Sequence, residues 1–298
     1  MTDLTWLWIP FTLVGALGQV ARNAMQRGLT KPLGTLGATH IRFLFGFPFA
    51  VVFLGSVLVA TGDHIGWPAP GFYPWLLAGS AAQIAGTALM LAAMNEHSFV
   101  VTTAYLKTEA IQAAAFGFVF LSDELTGLKL LGIVIATLGV VLTALRPGAK
   151  GFGSLRPTLL GLFAASFMAL SAVGYRGAIL NVEGVSFVTA ASFSLSIALL
   201  LQTLALSAYL VVRKPGVMTA IFRLWKPSMF AGFMGAFASL FWFLAFALTP
   251  AANVRTLALV EVLIAQVAAH YGMKQSITVR EFAGVVLILI GVTALVAG

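Results

Sequence analysis

Two carboxylates lie at positions in the sequence where a charge is costly. Glu109 and Glu261 each fall near the middle of a long apolar run. An ionised side chain at the centre of a bilayer costs about 3 kcal/mol on insertion scales unless it is paired or hydrated, so such a residue indicates a function. One or both carboxylates could take up a proton or meet a cationic part of a substrate. The alternative is a carboxylate held by a fixed partner that only packs two helices together.

Lys107 adds a cation to the first of these runs. It precedes Glu109 by two positions, which places the two side chains about 200° apart around a helix, so they cannot pair on one face. Lys107 is therefore either a counter-charge for an anionic group of a substrate or a partner for a carboxylate on another helix. Tyr105 and Gln112 share the face of Glu109 better, by spacings of four and three.

The elements that position these residues must be membrane-spanning helices. Hydrophobic residues make up 60% of the 298 residues and charged residues 9%, against roughly 25% charged residues in a soluble domain. Apolar runs of about 20 residues, the length that spans the hydrocarbon core, recur along the chain. With no cysteine and four scattered histidines, we predict no disulfide, no metal site and no cofactor. The net charge of +8 lies in short loops, which predicts membrane orientation and not nucleic-acid binding.

The apolar runs divide into two sets of five. We predict ten transmembrane helices at residues 6–24, 33–60, 73–94, 99–121, 126–145, 159–180, 185–212, 228–248, 251–272 and 279–297. The basic, glycine-containing segment 146–157 is the only plausible linker between the sets. The predicted fold is an all-α membrane protein of two five-helix repeats, residues 1–150 and 151–298.

The two repeats are predicted to be inverted. A shift of 152 residues, the difference between 261 and 109, also places Gly132 on Gly284 and Gly139 on Gly291. Because five is odd, a second copy must enter the membrane from the opposite side. Twelve of the 17 Lys and Arg side chains lie in or beside loops on one side and three on the other, and the bias reverses between corresponding loops of the copies. The positive-inside rule then predicts that both termini are extracytoplasmic.

Three arginines also lie within the predicted runs. Arg22 lies near the end of the first run and Arg42 two or three turns into the second. Snorkelling to the interface is the favoured interpretation of both, with a role in transport as the alternative for Arg22. Arg255 and Asn253 open the ninth run. The backbone there, or the Asn253 amide, could contact a polar solute, although an interfacial helix start explains both residues equally well.

One stretch of the chain contains several short sequence patterns in succession. Residues 106–142 contain KTE, then FLSDELTGLKLLG, then GVVL. This stretch resembles the closing signature of the EamA-like repeat of the drug/metabolite transporter superfamily, in which a glutamate is followed by an acidic residue, Leu-Thr and a glycine-containing helix. The matching positions are Glu109, Asp123, Leu125, Thr126 and Gly132, with Glu261, Thr278, Gly284 and Gly291 in the second copy. Ala110 and Val262 stand where the family often has proline, so neither position has the residue that would mark a kink.

The resemblance implies a ten-helix transporter of the inner membrane, commonly an exporter of amino acids or other small metabolites. It also implies a central cavity between the two halves. The helices expected to line that cavity contribute eight side chains here: Gln19, Gln83, Tyr105, Lys107, Glu109, Tyr175, Trp242 and Glu261.

We therefore expect a secondary active transporter, not an enzyme, which exports amino acids or similar metabolites by alternating access. Its partners are a small-molecule substrate, the lipid bilayer and, for coupling, protons; it is expected to be a monomer or weak homodimer. The nearest alternative is a multidrug exporter of hydrophobic cations, for which Glu109 and Glu261 are the only deep anionic sites. A less favoured alternative is an intramembrane transferase, which normally shows clustered His, Asp or Ser residues in its loops.

Overall fold

The computed structural model describes residues 4–96, 102, 105–144, 155–262 and 278–298. These residues form helices and short connections, with no strand among them. The helices in chain order are α1 (Trp8–Leu44), α2 (Gly46–Thr61), α3 (Phe72–Glu96), α4 (Glu109–Leu121), α5 (Gly127–Ala144), α6 (Leu155–Leu180), α7 (Phe187–Arg213), α8 (Pro215–Arg223), α9 (Trp225–Leu248), α10 (Ala251–Leu257) and α11 (Val279–Ala297). Short 3-10 turns occupy Thr5–Leu7 and Ala258–Val260.

Much of this helical structure is long and apolar enough to cross a membrane. Six stretches of the described residues meet that requirement: Gly28–Thr61, Phe72–Met94, Thr158–Leu180, Phe187–Arg213, Trp225–Leu248 and Val279–Ala297. Three shorter apolar helices cover Glu109–Leu121, Gly127–Thr143 and Ala251–Val260. The predicted all-α membrane fold is confirmed in this form. The count of ten helices stays a prediction, because the fourth and ninth predicted runs extend outside the described residues.

The first two predicted runs are joined differently from the prediction. Helix α1 continues past the end of the first run and through Pro32, and it turns sharply at Gly34. Gly34 has φ 69° and ψ 173°, a conformation that is essentially restricted to glycine. The basic segment 213–227, between the seventh and eighth predicted runs, contains the short helix α8. This helix begins at Pro215, and proline is common at the first position of a helix.

Pairs of long helices form the frame of the bundle. Helix α3 packs along α6, α1 along α9, and α5 along α11. A Cβ atom built on Gly132 would lie 2.6 Å from the carbonyl oxygen of Gly291, and one on Gly139 would lie 2.7 Å from that of Gly284. Small residues permit such close approach of helices in a membrane, so these four glycines allow α5 and α11 to pack closely.

A carboxylate outside the membrane-spanning segments fixes one end of the bundle. Asp63 Oδ2 accepts hydrogen bonds from Ser186 N (3.0 Å), Ser186 Oγ (2.6 Å) and Thr189 Oγ1 (2.6 Å) at the N-terminus of α7. These bonds, with those from Ser186 the strongest, lower the pKa of Asp63 to about 2. The carboxylate is therefore ionised at neutral pH, as suits the positive end of a helix dipole. The connections 62–71 and 181–186 consequently lie on the same face of the bundle.

Candidate functional site

Both deep carboxylates follow an interruption of helical structure. Helix α4 begins at Glu109, directly after a turn at Lys107 and Thr108. In the second half, the 3-10 turn Ala258–Val260 directly precedes Glu261. The shift of 152 residues places 258–260 on 106–108, so the two irregular segments correspond. A short 3-10 stretch within a helix often marks a functional hinge.

The two carboxylates are held by cations that the other segment supplies. Lys107 Nζ donates to Glu261 Oε1. Glu109 Oε1 lies 2.7 Å from Arg255 Nε, although the geometry of this contact is not that of an aligned hydrogen bond. The four side chains are between 10% and 15% exposed. Of the two interpretations of Lys107, the structure shows the partner carboxylate on another helix.

Trp242 joins this charged cluster from α9. The Arg255 guanidinium lies 4.5 Å from the centroid of the Trp242 ring and 5.3 Å from that of Phe246, in cation–π contact. The indole also meets α1, where a Cβ built on Gly15 would lie 3.3 Å from the ring. The Trp242 side chain therefore lies between α1 and the charged residues, and not against lipid.

A hydrogen-bonded network lies next to the cluster. Tyr175 Oη donates to Gln83 Oε1 (3.0 Å). Gln202 Nε2 donates to Gln83 Oε1 (2.9 Å) and lies 2.8 Å from Tyr175 Oη. The structure thus brings together two predicted site residues and adds Gln202, which sequence analysis missed. A lone glutamine in the apolar run of α7 is the signal that could have found it.

Two very small cavities lie among these groups. The first, about 10 Å³ in volume, is lined by polar side chains of Gln19, Lys107, Glu109 and Arg255. The second, about 20 Å³, is lined by the polar and aromatic residues Gln19, Arg22, Arg42, Gln83, Tyr175, Ser239, Trp242, Phe243, Phe246 and Arg255, with Met168. Such volumes hold about one water molecule. A larger solute enters only if side chains or helices move.

Arg22 and Arg42 correct the prediction that they snorkel to the interface. Their exposed fractions are 3% and 2%, and both line the second cavity. Arg22 donates to Asn23 Oδ1 through Nε (3.2 Å) and Nη2 (2.9 Å). Arg42 donates to Thr87 Oγ1 (3.4 Å) and Ser239 Oγ (3.3 Å). The packing of α1 along α9 turns both guanidinium groups inward.

Two other predicted site residues lie away from the cavities. Tyr105 Oη is 2.9 Å from Thr158 Oγ1, and the Tyr105 ring packs where a Cβ on Gly161 would stand. Asn253 Nδ2 donates to Thr249 Oγ1 (3.0 Å). Neither side chain is among the residues that line the two central cavities.

Two polar residues in or after the ninth predicted run fall on undescribed positions. His270, within that run, and Gln275, at the position that corresponds to Asp123 in the second copy, lie outside the described residues. Among the described residues, no three His, Asp or Glu side chains are grouped so as to hold a metal ion.

Comparison with known proteins finds a family model that matches the second half of the chain. Residues 155–297 match the EamA-like transporter family, and no curated protein sequence matches the chain significantly. Among 27 matching chains of solved structures, one described as "Crystal structure of protein" has a TM-score of 0.72 and 13% sequence identity, covering 98% of this chain and 97% of that chain. At that identity the likeness shows the fold alone. The chain is therefore a multi-pass membrane protein whose residues 155–297 match the EamA-like transporter family, and the resemblance found in its sequence is confirmed.

Proposed function

We propose that the chain is a secondary transporter that moves small amphipathic metabolites, amino acids first among them, across the inner membrane by alternating access. The family supports a membrane transporter of small molecules. The observation that carries the proposal is that each of the two interrupted helical segments supplies the cation for the carboxylate of the other. Glu109 pairs with Arg255 of α10, while Lys107, beside α4, pairs with Glu261 beyond α10.

The contacts between helices also support two inverted five-helix repeats. A pseudo-twofold axis would exchange the pair α3 and α6 with the pair α9 and α1. In each of these pairs the two helices pack along each other. The same operation turns the contact of Gly132 with Gly291 into that of Gly284 with Gly139, and both contacts are present. Transporters built in this way bind substrate at the midplane, often beside interrupted helices.

The ion pairs suggest how substrate and protons would act. Because the cavities are so small, a solute can bind only if side chains or helices move, and exchange with one of the ion pairs is one such movement. An amino acid carries both charges: its carboxylate can take the place of a glutamate beside Lys107 or Arg255, and its ammonium can take the place of a cation. Protonation of Glu109 or Glu261 would release its partner, which is the proposed route of proton coupling. Export as the net direction stays a prediction.

Hydrophobic cations are a weaker candidate substrate class. Both deep carboxylates already have a cationic partner, and further arginines line the same region. A cationic substrate would have to displace a fixed Lys or Arg side chain within a cluster that already has excess positive charge.

Transport by purified protein in liposomes tests the proposal. We expect an amino-acid panel that includes aromatic members to drive uptake and proton movement in the wild type. Glu109→Gln and Glu261→Gln are expected to reduce both about tenfold or more, since an interaction with a charged group is worth about 1.5–3 kcal/mol. Glu183→Gln, in an exposed connection, is the matched control.

Two results would contradict parts of the proposal. If the Gln variants exchange amino acids as well as the wild type, the carboxylates only pack the helices and the coupling assignment is wrong. If no amino acid moves in the wild type, the substrate assignment fails, and hydrophobic cations become the next set to test.

A further inference from the structure

Arg22 and Arg42 lie together against one glycine of α9. A Cβ atom built on Gly235 would lie 3.0 Å from Arg42 Cγ and 3.6 Å from Arg22 Cδ. The two side chains come from opposite sides of the turn in α1, and both line the cavity that contains Trp242. They form a buried pair of guanidinium groups, which we call the arginine pair.

The arginine pair has no carboxylate partner among the described residues. Its acceptors are the Asn23 amide and the Thr87 and Ser239 hydroxyls, which are neutral, and Arg42 Nε has no acceptor in the described part of the chain. The segments between the described ranges contain no Asp or Glu. Glu96 lies nine residues beyond Thr87 in α3, roughly 13 Å along the helix axis.

The charges of the central cluster do not balance. It contains four cations and two carboxylates, an excess of two positive charges: Arg22, Arg42, Lys107 and Arg255 against Glu109 and Glu261. Each carboxylate already has a cationic partner. A buried ion without a counter-ion costs several kcal/mol, so the arginine pair is suited to receive an anion from outside the protein.

We propose that the arginine pair binds the carboxylate of an apolar organic acid. The inference rests on the proposed transport function and names the substrate class of that site. A guanidinium group matches the two oxygens of a carboxylate with parallel N–H donors. The apolar part of the acid lies against Trp242, Phe243 and Phe246, which line the same cavity. An amine is not required for recognition, because Glu109 and Glu261 are already paired.

Three ligands with the same aromatic part and different charges test this assignment: phenylpyruvate, phenylalanine and phenylalaninamide. Binding to the full-length protein in detergent is measured by calorimetry. Phenylpyruvate, an anion, is expected to bind at least as tightly as zwitterionic phenylalanine, while the cationic amide does not bind. Arg22→Gln and Arg42→Gln are expected to weaken phenylpyruvate binding about 10- to 100-fold, the worth of a hydrogen bond to a charged group. Arg213→Gln, exposed in the last turn of α7, should leave it unchanged.

Additional variants and anions keep the test decisive. If a Gln variant does not fold, Arg22→Lys and Arg42→Lys retain the charge but lose the two parallel donors, and intermediate affinities are expected. The inference is overturned if phenylpyruvate does not bind the wild type, if the amide binds as tightly, or if the Arg variants bind phenylpyruvate normally. It is also overturned if inorganic phosphate or chloride, but not phenylpyruvate, binds in a manner that depends on the arginine pair.

The outcomes separate this inference from the proposed function. Transport that depends on Glu109 but not on Arg22 or Arg42 would overturn the binding role of the arginine pair and support the transporter assignment. Phenylpyruvate binding that depends on the arginine pair, without any transport in liposomes, would support the binding role and contradict the proposed transport function.

Discussion

Lys107→Met is expected to lower the free energy of unfolding by about 3–5 kcal/mol, because it leaves the Glu261 carboxylate buried without its partner. The double variant Lys107→Met with Glu261→Leu is expected to recover most of this loss, since apolar replacement of a whole buried ion pair is often neutral or stabilising. Unfolding in mild detergent, measured for both single variants and the double variant, forms a double-mutant cycle that isolates the energy of the pair.

Transport by the same variants decides whether this ion pair only packs the helices. A folded double variant that no longer transports indicates that the charges themselves are used. A stable double variant with wild-type transport would support the alternative already open in the sequence, a fixed pair that cements two helices. Lys31→Met, exposed in α1, controls for the loss of a lysine that is not part of the cluster.

Arg176→Gln is expected to have the second large effect, a loss of about 3 kcal/mol or more of stability. Arg176 Nη1 donates to the carbonyl oxygens of Phe246 and Thr249, both at 2.7 Å, and Arg176 Nε lies 3.3 Å from Asp123 Oδ1. The last carbonyl groups of a helix have no partners within it. The substitution therefore leaves the carbonyl groups at the end of α9 and the Asp123 carboxylate without their partner.

Asp123→Asn provides the comparison for this prediction. Arg176 keeps both carbonyl acceptors in that variant, so a smaller loss is expected, about 1–2 kcal/mol. Thermal unfolding of the two variants in the same detergent measures the difference. Equal losses would mean that the ion pair, and not the bonds to the end of α9, dominates the contribution of Arg176.

These contacts also give a structural role to Asp123, the acidic residue of the family signature. Asp123 lies in the short connection after α4, but its side chain is only 13% exposed. It packs close to α4, where a Cβ on Gly117 would lie 2.7 Å from its carboxylate. In this chain the acid of the family signature therefore joins the end of α4 to α6 and α9.

The class of the protein and the deep carboxylates were predictable because they depend on local sequence. Apolar runs of membrane-spanning length predict the fold class, and a charge within such a run can be recognised without a structure. The geometry of one helix was enough to exclude a pair between Lys107 and Glu109. It could not select Glu261 as the partner, since that choice depends on how two distant helices pack.

The roles of Arg22 and Arg42 could not be predicted for a related reason. A basic residue near the end of an apolar run has the same sequence pattern whether it snorkels or faces the interior. Here the outcome depends on α1, which continues past the expected loop, turns at Gly34 and packs along α9. The interruptions before Glu109 and Glu261 likewise occur without the proline that would have marked them, since Ala110 and Val262 follow these residues.

A single introduced thiol tests most directly whether the central cluster is open to both sides of the membrane in turn. The chain contains no cysteine, and Gln19 lines both central cavities. In vesicles of each orientation, alternating access predicts that a membrane-impermeant thiol reagent labels Gln19→Cys from either side, and that a transported substrate slows the reaction. Trp67→Cys, at a position 94% exposed in a connection, should react from one side only. Reaction of Gln19→Cys from a single side, or from neither, would contradict the proposed transport site.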